Sequence, residues 1–527
     1  NFEKSTRVIG SRAWDRTNVD WPSHLCSKMK TKTLLIVLGT LVGLILAIII
    51  VLVVLYVIAI HTGYAYAIMI DAGSTSSKVS VMRWRDWPFR SNGYTEELAI
   101  TKFAPGISAA KDNPQEAFYT LKPYLTKILD EHVPKDKQKS AVLYLGATAG
   151  MRLLNLESPL NADAIIDDLR RTLRNFGLTV SNPYSDIRII SGNDEGIYAW
   201  ITVNYLSKKL GDENGKNPDP PDQMMGALDL GGASTQISFV PERDNAELYT
   251  GSHYLFGNTY NVYSYSFLCY GKSTGQNRIW AEIIGQQSDK RINNPCLLKN
   301  YELTVKKSQI FTEPCVISKF AKAIFGSELI PNPALAETIT FIGTGEPTQC
   351  RKIVQRLFPS KHCTTEPCSF NGVYQPPPKG NFFAFAGFYF VINFLFPSIG
   401  KGLTRDQVKT KVDEFCASDW NTESTKYPAA EHANIAGYCF DGAYIDVLLD
   451  GYGFKTNQDW QKIEFVSKVA GTSVSWALGY VIDASGMIQS LAPKIDLGQA
   501  AFIGSVTVLS IVFLALLGII IYVVLKQ

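Results

Sequence analysis

Asp71-Ala72-Gly73-Ser74-Thr75-Ser76-Ser77-Lys78 and Asp229-Leu230-Gly231-Gly232-Ala233-Ser234-Thr235-Gln236 are two versions of one design. The first follows the apolar run Tyr66-Ala67-Ile68-Met69-Ile70 and leads into strand-like residues 79–84. The second follows Met225-Gly226-Ala227-Leu228 and leads into Ile237-Ser238-Phe239-Val240. Each reads as buried strand, Asp, Gly/Ser/Thr loop, strand, and the repetition marks an internal duplication. Glycine lets such a loop turn tightly and present successive N–H groups to an anion, and the hydroxyls add donors. Two loops of this kind facing each other would clamp a chain of phosphates. An Asp at each strand end would then hold a hard divalent cation, directly or through water, against the phosphate oxygens. One loop alone is equally an ordinary Gly/Ser hairpin turn; two copies in the same Asp register argue for the anion site.

Two segments lie between the copies. Tyr144-Leu145-Gly146-Ala147-Thr148-Ala149-Gly150-Met151-Arg152 reads as a strand turning into a helix through small residues, leaving N–H groups and Thr148 free to meet an anion. Ile189-Ile190-Ser191-Gly192-Asn193-Asp194-Glu195-Gly196 ends another strand, and residues 197–206 continue with helical apolar spacing. Glu195 stands at that junction, where a carboxylate either faces a cleft or merely complements a helix N-terminus.

Further out, the chain of 527 residues is long enough for more than one folded unit. Its composition, 46% hydrophobic and 19% charged, is that of a folded protein, and a net charge of +3 gives no sign of nucleic-acid binding. The near-zero mean hydropathy conceals two uncharged runs, residues 34–60 and 500–525, each longer than the roughly 20 residues that cross a bilayer. The first run is too long for a signal-peptide core and is expected to be an anchor. Arg7, Arg12, Arg16, Lys28, Lys30 and Lys32 precede it and Lys526 follows the second, so both flanks are expected in the cytoplasm and residues 61–499 outside it. Eight of nine cysteines (Cys269, Cys296, Cys315, Cys350, Cys363, Cys368, Cys416 and Cys439) lie between the spans, an even number that reads as four disulfides on an oxidising face. Cys26 stands apart, near the membrane on the cytoplasmic side. No Asn-x-Ser/Thr acceptor occurs between the spans. Gly39/Gly43 and the pairs Ala500/Gly504 and Ala501/Ser505 have the spacing that lets membrane helices approach, which would allow a homo-oligomer through the spans.

DAGSTSSK, GATAGMR, GNDEGIYAWITVNYL and DLGGASTQISF together resemble the signature regions of the ecto-nucleoside triphosphate diphosphohydrolases, or apyrases. The resemblance extends through SFLCYG (266–271), the aromatic run 382–390, YCFDG (438–442) and SWALGY (475–480), nearly the whole region between the spans. Two terminal spans look like the cell-surface subgroup. The resemblance implies the α/β two-lobed actin/sugar-kinase/heat-shock (RNase H-like) fold with nucleotide in the cleft. Lobe one would be residues 64–191 with 468–495, lobe two 192–467, between a tail (1–33) with its span (34–60) and a second span (500–525) ending in 526–527. It also implies disulfides Cys269–Cys315, Cys296–Cys350, Cys363–Cys368 and Cys416–Cys439.

By the same resemblance Glu195 is the general base that activates water, and Asp71 and Asp229 hold the water shell of Ca²⁺ or Mg²⁺. Ser74, Thr75, Ser76, Thr148, Ala149, Gly232, Ala233, Ser234 and Gln236 bind phosphate or orient the water, and Lys272, Tyr389 and Phe390 meet the base. Two positions depart from the family. Ser76 stands where many relatives have His, and Lys272-Ser273 where animal relatives often have Arg-Asp, which puts base preference in question. The substrates implied are extracellular ATP, ADP and other nucleotides, cleaved to monophosphate and phosphate at the plasma membrane in purinergic signalling. The alternatives are a lumenal Golgi or lysosomal nucleoside diphosphatase, or a weakly catalytic nucleotide-binding surface receptor. Gly271-Lys272-Ser273 resembles the end of a P-loop, but Ser266 replaces the required first glycine; neither a G-x-S-x-G nor zinc-ligand spacing occurs.

Overall fold

A computed structural model describes residues 23–61, 64–85, 94–211, 217–242, 248–256, 258–359, 363, 365–484 and 499–526. Arg7, Arg12 and Arg16 of the expected tail, and residues 485–495 of the expected first lobe, lie outside the described residues. Two compact units form, one holding both terminal helices and the other Gly63–Lys494.

In the first unit, helices Ser23–His61 and Gln499–Leu525 contain apolar stretches Lys30–Val57 and Ala501–Leu525, of 28 and 25 residues. At about 1.5 Å rise per residue either exceeds a hydrocarbon core about 30 Å thick. Tyr56 stacks on Phe502 with ring centroids 3.9 Å apart. Gly39, Gly43 and Gly504 have nothing within 4 Å of where a Cβ would stand, so the small-residue positions are not where these two helices meet.

In the second unit, β1 (Tyr64–Ala72), β2 (Ser77–Arg85), β3 (Thr95–Phe103), β4 (Val142–Ala147) and β5 (Ile187–Ile189) form a mixed sheet in the order β3-β2-β1-β4-β5. Strands β1 to β3 pair antiparallel, whereas β4 and β5 extend the sheet in parallel. A second sheet is built from β6 (Gly226–Leu230), β7 (Ser234–Phe239), β8 (Thr250–Leu255), β9 (Asn258–Leu268) and strands Phe382–Ala386 and Ile463–Phe465. Leaving aside edge strand β8, its order β9-β7-β6-(Phe382–Ala386)-(Ile463–Phe465) repeats the first sheet strand for strand, with the same directions. The duplication read from two loops is therefore a duplication of two whole sheets.

Strand periodicity aims the two aspartates. In β1, Ile68 and Ile70 pack outward under helices Gln115–His132 and Pro159–Arg174, against Leu121, Leu125, Ile165 and Leu169. Ala67 and Met69 face inward, into a core with Tyr198, Trp200, Trp476 and Val481. Because successive side chains alternate faces, Asp71 continues the inward set. In β6, Leu228 and Leu230 pack outward and Ala227 joins the same inner core, so Asp229 also faces inward.

Helix Gly192–Leu206 lies on β6, β7 and β9, and against helix Trp476–Ala484, which reaches β1 and β3. Glycines permit these approaches. A Cβ on Gly479 would stand 2.0 Å from the Tyr198 carbonyl oxygen, and one on Gly196 would stand 2.4 Å from Ser264 Oγ. A third, small sheet, Arg291–Asn294, Thr338–Gly343 and Glu302–Lys306, has no counterpart in the sequence reading. The four disulfides are Cys269–Cys315, Cys296–Cys350, Cys363–Cys368 and Cys416–Cys439, the pairing that the resemblance implies.

Candidate active site

The two Asp/Gly loops meet. A Cβ on Gly232 of the second loop would stand 2.6 Å from Ser74 Oγ of the first, so glycine is what lets the loops touch. Gly150, in the helix Ala149–Glu157 that starts after Thr148, leaves only 2.7 Å between its Cβ position and Ser74 Cα. The Thr148 N–H donates to the Ala72 carbonyl (3.1 Å), fixing that helix start beside the end of β1. On the other side, the N–H groups of Lys272 and Ser273 donate to the carbonyls of Gly231 and Gly232, each at 2.9 Å.

Between these parts lies a cleft of about 700 Å³. Asp71, Ser74, Thr75, Ser76, Thr148, Ala149, Glu195, Asp229, Gly232, Ala233, Ser234, Lys272, Tyr389 and Phe390 all line it. Gln236 stands just behind, its Nε2 within hydrogen-bond distance of Glu195 Oε2 (3.1 Å), Ser234 Oγ (2.8 Å) and Ser266 Oγ (2.9 Å), three acceptors for two N–H donors. Every residue selected from the sequence is thus at the cleft or one contact from it.

Glu195 lies in the first turn of its helix, which Ser191 caps by accepting from the Asp194 N–H (3.0 Å). It is only 7% exposed. Burial pushes its carboxyl above the ordinary glutamate value, Asp71 adds to the push, and Arg152 opposes it. Arg152 Nη2 donates to Glu195 Oε2 (2.8 Å) and Ser234 Oγ (3.0 Å), and Nη1 to the Ile190 carbonyl (3.2 Å). Among the described residues both hydrogen bonds to Glu195 end on Oε2, leaving Oε1 as the free acceptor.

Asp71 and Asp229 are 7% and 8% exposed. Burial, then repulsion from Glu195 and Asp71, pushes Asp229 up to about 8, while Lys78 pulls the other way. Lys78 Nζ donates to Asp71 Oδ2 (3.2 Å). Buried carboxylates that repel one another fit a divalent cation, whose charge would relieve them. Among the described residues no three carboxylates, imidazoles or thiols converge as a direct ligand set.

On the base side, Phe390 is 57% exposed and meets Tyr389 edge to face, with centroids 5.7 Å apart; Tyr438 lines the same region. Lys272 directs its Nζ to Asp441 Oδ2 (2.8 Å), and Asp441 is only 2% exposed. Its ammonium is thus drawn to a carboxylate, a partner the sequence reading did not assign it.

Four cations were not assigned by sequence reasoning. Arg152 is the last residue of GATAGMR, and Lys78, Lys102 and Lys468 line the cleft. For Lys78 a signal was present, since hairpin pairing after the first loop sets it opposite Asp71.

Two α/β sheets of one order, each presenting an Asp and a glycine-rich loop to a shared cleft with a buried carboxylate, define a two-lobed protein built to take a phosphate chain. The profile of the GDA1/CD39 (nucleoside phosphatase) family matches residues 57–498, and the chain belongs to that family. It is 33% identical over 474 residues to ectonucleoside triphosphate diphosphohydrolase 1 of Mus musculus, covering 87% of this chain and 88% of the relative. It is 32% identical over 477 residues to ectonucleoside triphosphate diphosphohydrolase 3 of Homo sapiens, covering 86% of each. A solved nucleoside triphosphate hydrolase from Neospora caninum shares the fold, with a TM-score of 0.58 at 15% identity over 82% of this chain and 94% of that one.

Proposed function

We propose that this chain is a membrane-anchored ecto-apyrase that removes the terminal phosphate from nucleoside triphosphates and then diphosphates, leaving monophosphate and inorganic phosphate. The observation that carries this reading is the contact of the two Asp/Gly loops beside a buried Glu195 that lines the cleft and whose Oε1 accepts no hydrogen bond among the described residues. Ser74, Thr75, Ser76, Thr148, Ala149, Gly232 and Ala233 bind the phosphate oxygens, and Ser234 and Gln236 orient a water. Glu195 takes a proton from that water as its oxygen bonds to the terminal phosphorus, and the bridging P–O bond breaks with its electrons going to the departing nucleotide. Arg152 aims Glu195 and opposes the rise that burial imposes on its carboxyl. A Ca²⁺ or Mg²⁺ ion, held through water by Asp71 and Asp229, would supply positive charge to the phosphate oxygens when bound. Tyr389 and Phe390 offer rings to the base, with the stem of Lys272 at its edge.

On this reading residues 64–191 with 468–495 form one lobe and 192–467 the other. The two apolar helices are the anchors, with their basic flanks in the cytoplasm and the cleft outside the cell, where disulfides persist. The test adds ATP, ADP and other nucleotides to intact cells expressing the chain and follows external phosphate. Release by wild type, with Glu195→Gln binding nucleotide but turning over at least about 1,000-fold more slowly, is expected for loss of a base that also positions the water. Near-wild-type turnover by Glu195→Gln would overturn the base assignment, and phosphate release only after lysis would overturn the topology.

A further inference from the structure

The duplicated sheets carry matching rows of side chains beside the cleft, and the rows differ in charge. In the second sheet, register places Asp229, Gln236 and Ser266 side by side across β6, β7 and β9. That row is closed by hydrogen bonds from Gln236 to Ser266 and Glu195. In the first sheet, the corresponding row across β1, β2 and β3 is Asp71, Lys78 and Lys102. Directly paired residues in antiparallel strands project to one face, and all three line the cleft. Where the second sheet has two neutral polar side chains, the first has two ammonium groups.

These ammonium groups are not consumed by the fold. Lys78 gives one of its three N–H donors to Asp71, and Lys102 makes no ion pair among the described residues. Lys468, on a short hairpin that also lines the cleft, makes none either. Asp71, Asp229 and Glu97 are the carboxylates whose fields reach Lys78, and Glu97 also feels Lys468. The loops offer only neutral N–H and O–H donors, and Arg152 is held by Glu195. A triphosphate brings one more phosphate, and more negative charge, than a diphosphate, so uncommitted cations on the cleft wall act more on the longer chain.

We propose that Lys78, Lys102 and Lys468 form a cationic arm on the first sheet's side of the cleft that binds phosphate oxygens and favours nucleoside triphosphates over diphosphates. The proposal rests on the reading of this cleft as a nucleotide site. Because Lys102 and Lys468 are solvent-exposed, the arm is sensitive to salt: its field fades over a Debye length of about 8 Å at physiological ionic strength.

The test uses the full-length protein carrying Lys102→Gln with Lys468→Gln, and compares KM for a tri- and a diphosphate of the same base. A rise of about fivefold for the triphosphate and less than about twofold for the diphosphate is expected, with a flatter salt dependence of the triphosphate KM. Equal changes for both substrates, or none, would overturn the proposal. Calorimetry of inorganic tripolyphosphate and pyrophosphate binding to Glu195→Gln, with and without the two lysine changes, reads the arm without turnover or a base. Selective weakening of tripolyphosphate supports the arm even if no nucleotide is hydrolysed, an outcome that would sink the apyrase reading alone; unselective or absent weakening overturns the arm. Lys78→Arg should keep the selectivity that Lys78→Met loses. Should Lys78→Met unfold by freeing Asp71, the Lys102 and Lys468 variants decide.

Discussion

Arg152→Met is the perturbation that best separates a working Glu195 from a merely buried one. Met keeps most of the apolar stem and removes a head group whose side chain is 14% exposed, facing a glutamate side chain 9% exposed. The charged head donates to Glu195, to Ser234 and to the Ile190 carbonyl. Removing one partner of such a buried ion pair costs about 3–5 kcal/mol. The loss depends on pH in a definite sense. Burial raises the Glu195 carboxyl and Arg152 is the main opposing influence, so without Arg152 it rises further. A carboxyl raised in the fold favours folding at low pH, and this contribution is lost as pH rises through its folded value. The variant's deficit is therefore smaller in acid, where Glu195 is protonated and only the bonds to Ser234 and Ile190 are missed, and reaches its full size once the carboxylate must exist without its partner. The acid limb of kcat/KM moves to higher pH for the same reason, and mispositioning of Glu195 and Ser234 lowers the plateau about 100-fold. Thermal unfolding and kcat/KM of both proteins across about pH 5 to 9 measure this. An unmoved acid limb with a pH-independent stability difference would refute the role given to Arg152.

Chelation with EDTA should abolish hydrolysis and added Ca²⁺ or Mg²⁺ restore it, and Asp71→Asn should raise the cation concentration for half-maximal rate by about tenfold or more; EDTA-resistant hydrolysis would contradict the cation's place. Gly479→Ala forces a methyl toward the Tyr198 carbonyl and should cost about 1–3 kcal/mol or more in an unfolding measurement; a change within about 0.5 kcal/mol would mean that the helices do not approach as closely as described.

What was legible in the sequence is what is local. The apolar run Tyr66 to Ile70 and the glycines of each loop write strand and turn into a few consecutive residues, and duplication made their pairing evident. What stayed hidden depends on residues that meet only in the fold. Arg152 lies in a motif that was quoted, yet its partners Glu195 and Ser234 are 43 and 82 positions away, and no local rule joins them. Lys272 entered as a base contact through the resemblance alone, and the carboxylate that holds it, Asp441, is 169 positions away. In the small sheet, R-I-N-N at Arg291–Asn294 carries little of the apolar signal by which strands are read, whereas T-I-T-F-I-G at Thr338–Gly343 carries it but meets its partners only through pairings more than 30 residues apart in sequence.

The disulfides are distributed unequally about the cleft. All eight bonded cysteines stand between positions 269 and 439, and none occurs in the sheet that carries Asp71. Cys296, Cys350, Cys416 and Cys439 share a core with Leu228 and Leu230, the neighbours of Asp229. Crosslinks act on the unfolded chain, so their loss weakens that half by about 2–5 kcal/mol per bond removed and leaves the other to its apolar packing. Because Ala67 and Met69 of the first sheet share an inner core with Ala227 of the second, weakening the crosslinked side is felt across the cleft, and the covalent reinforcement of one wall serves both.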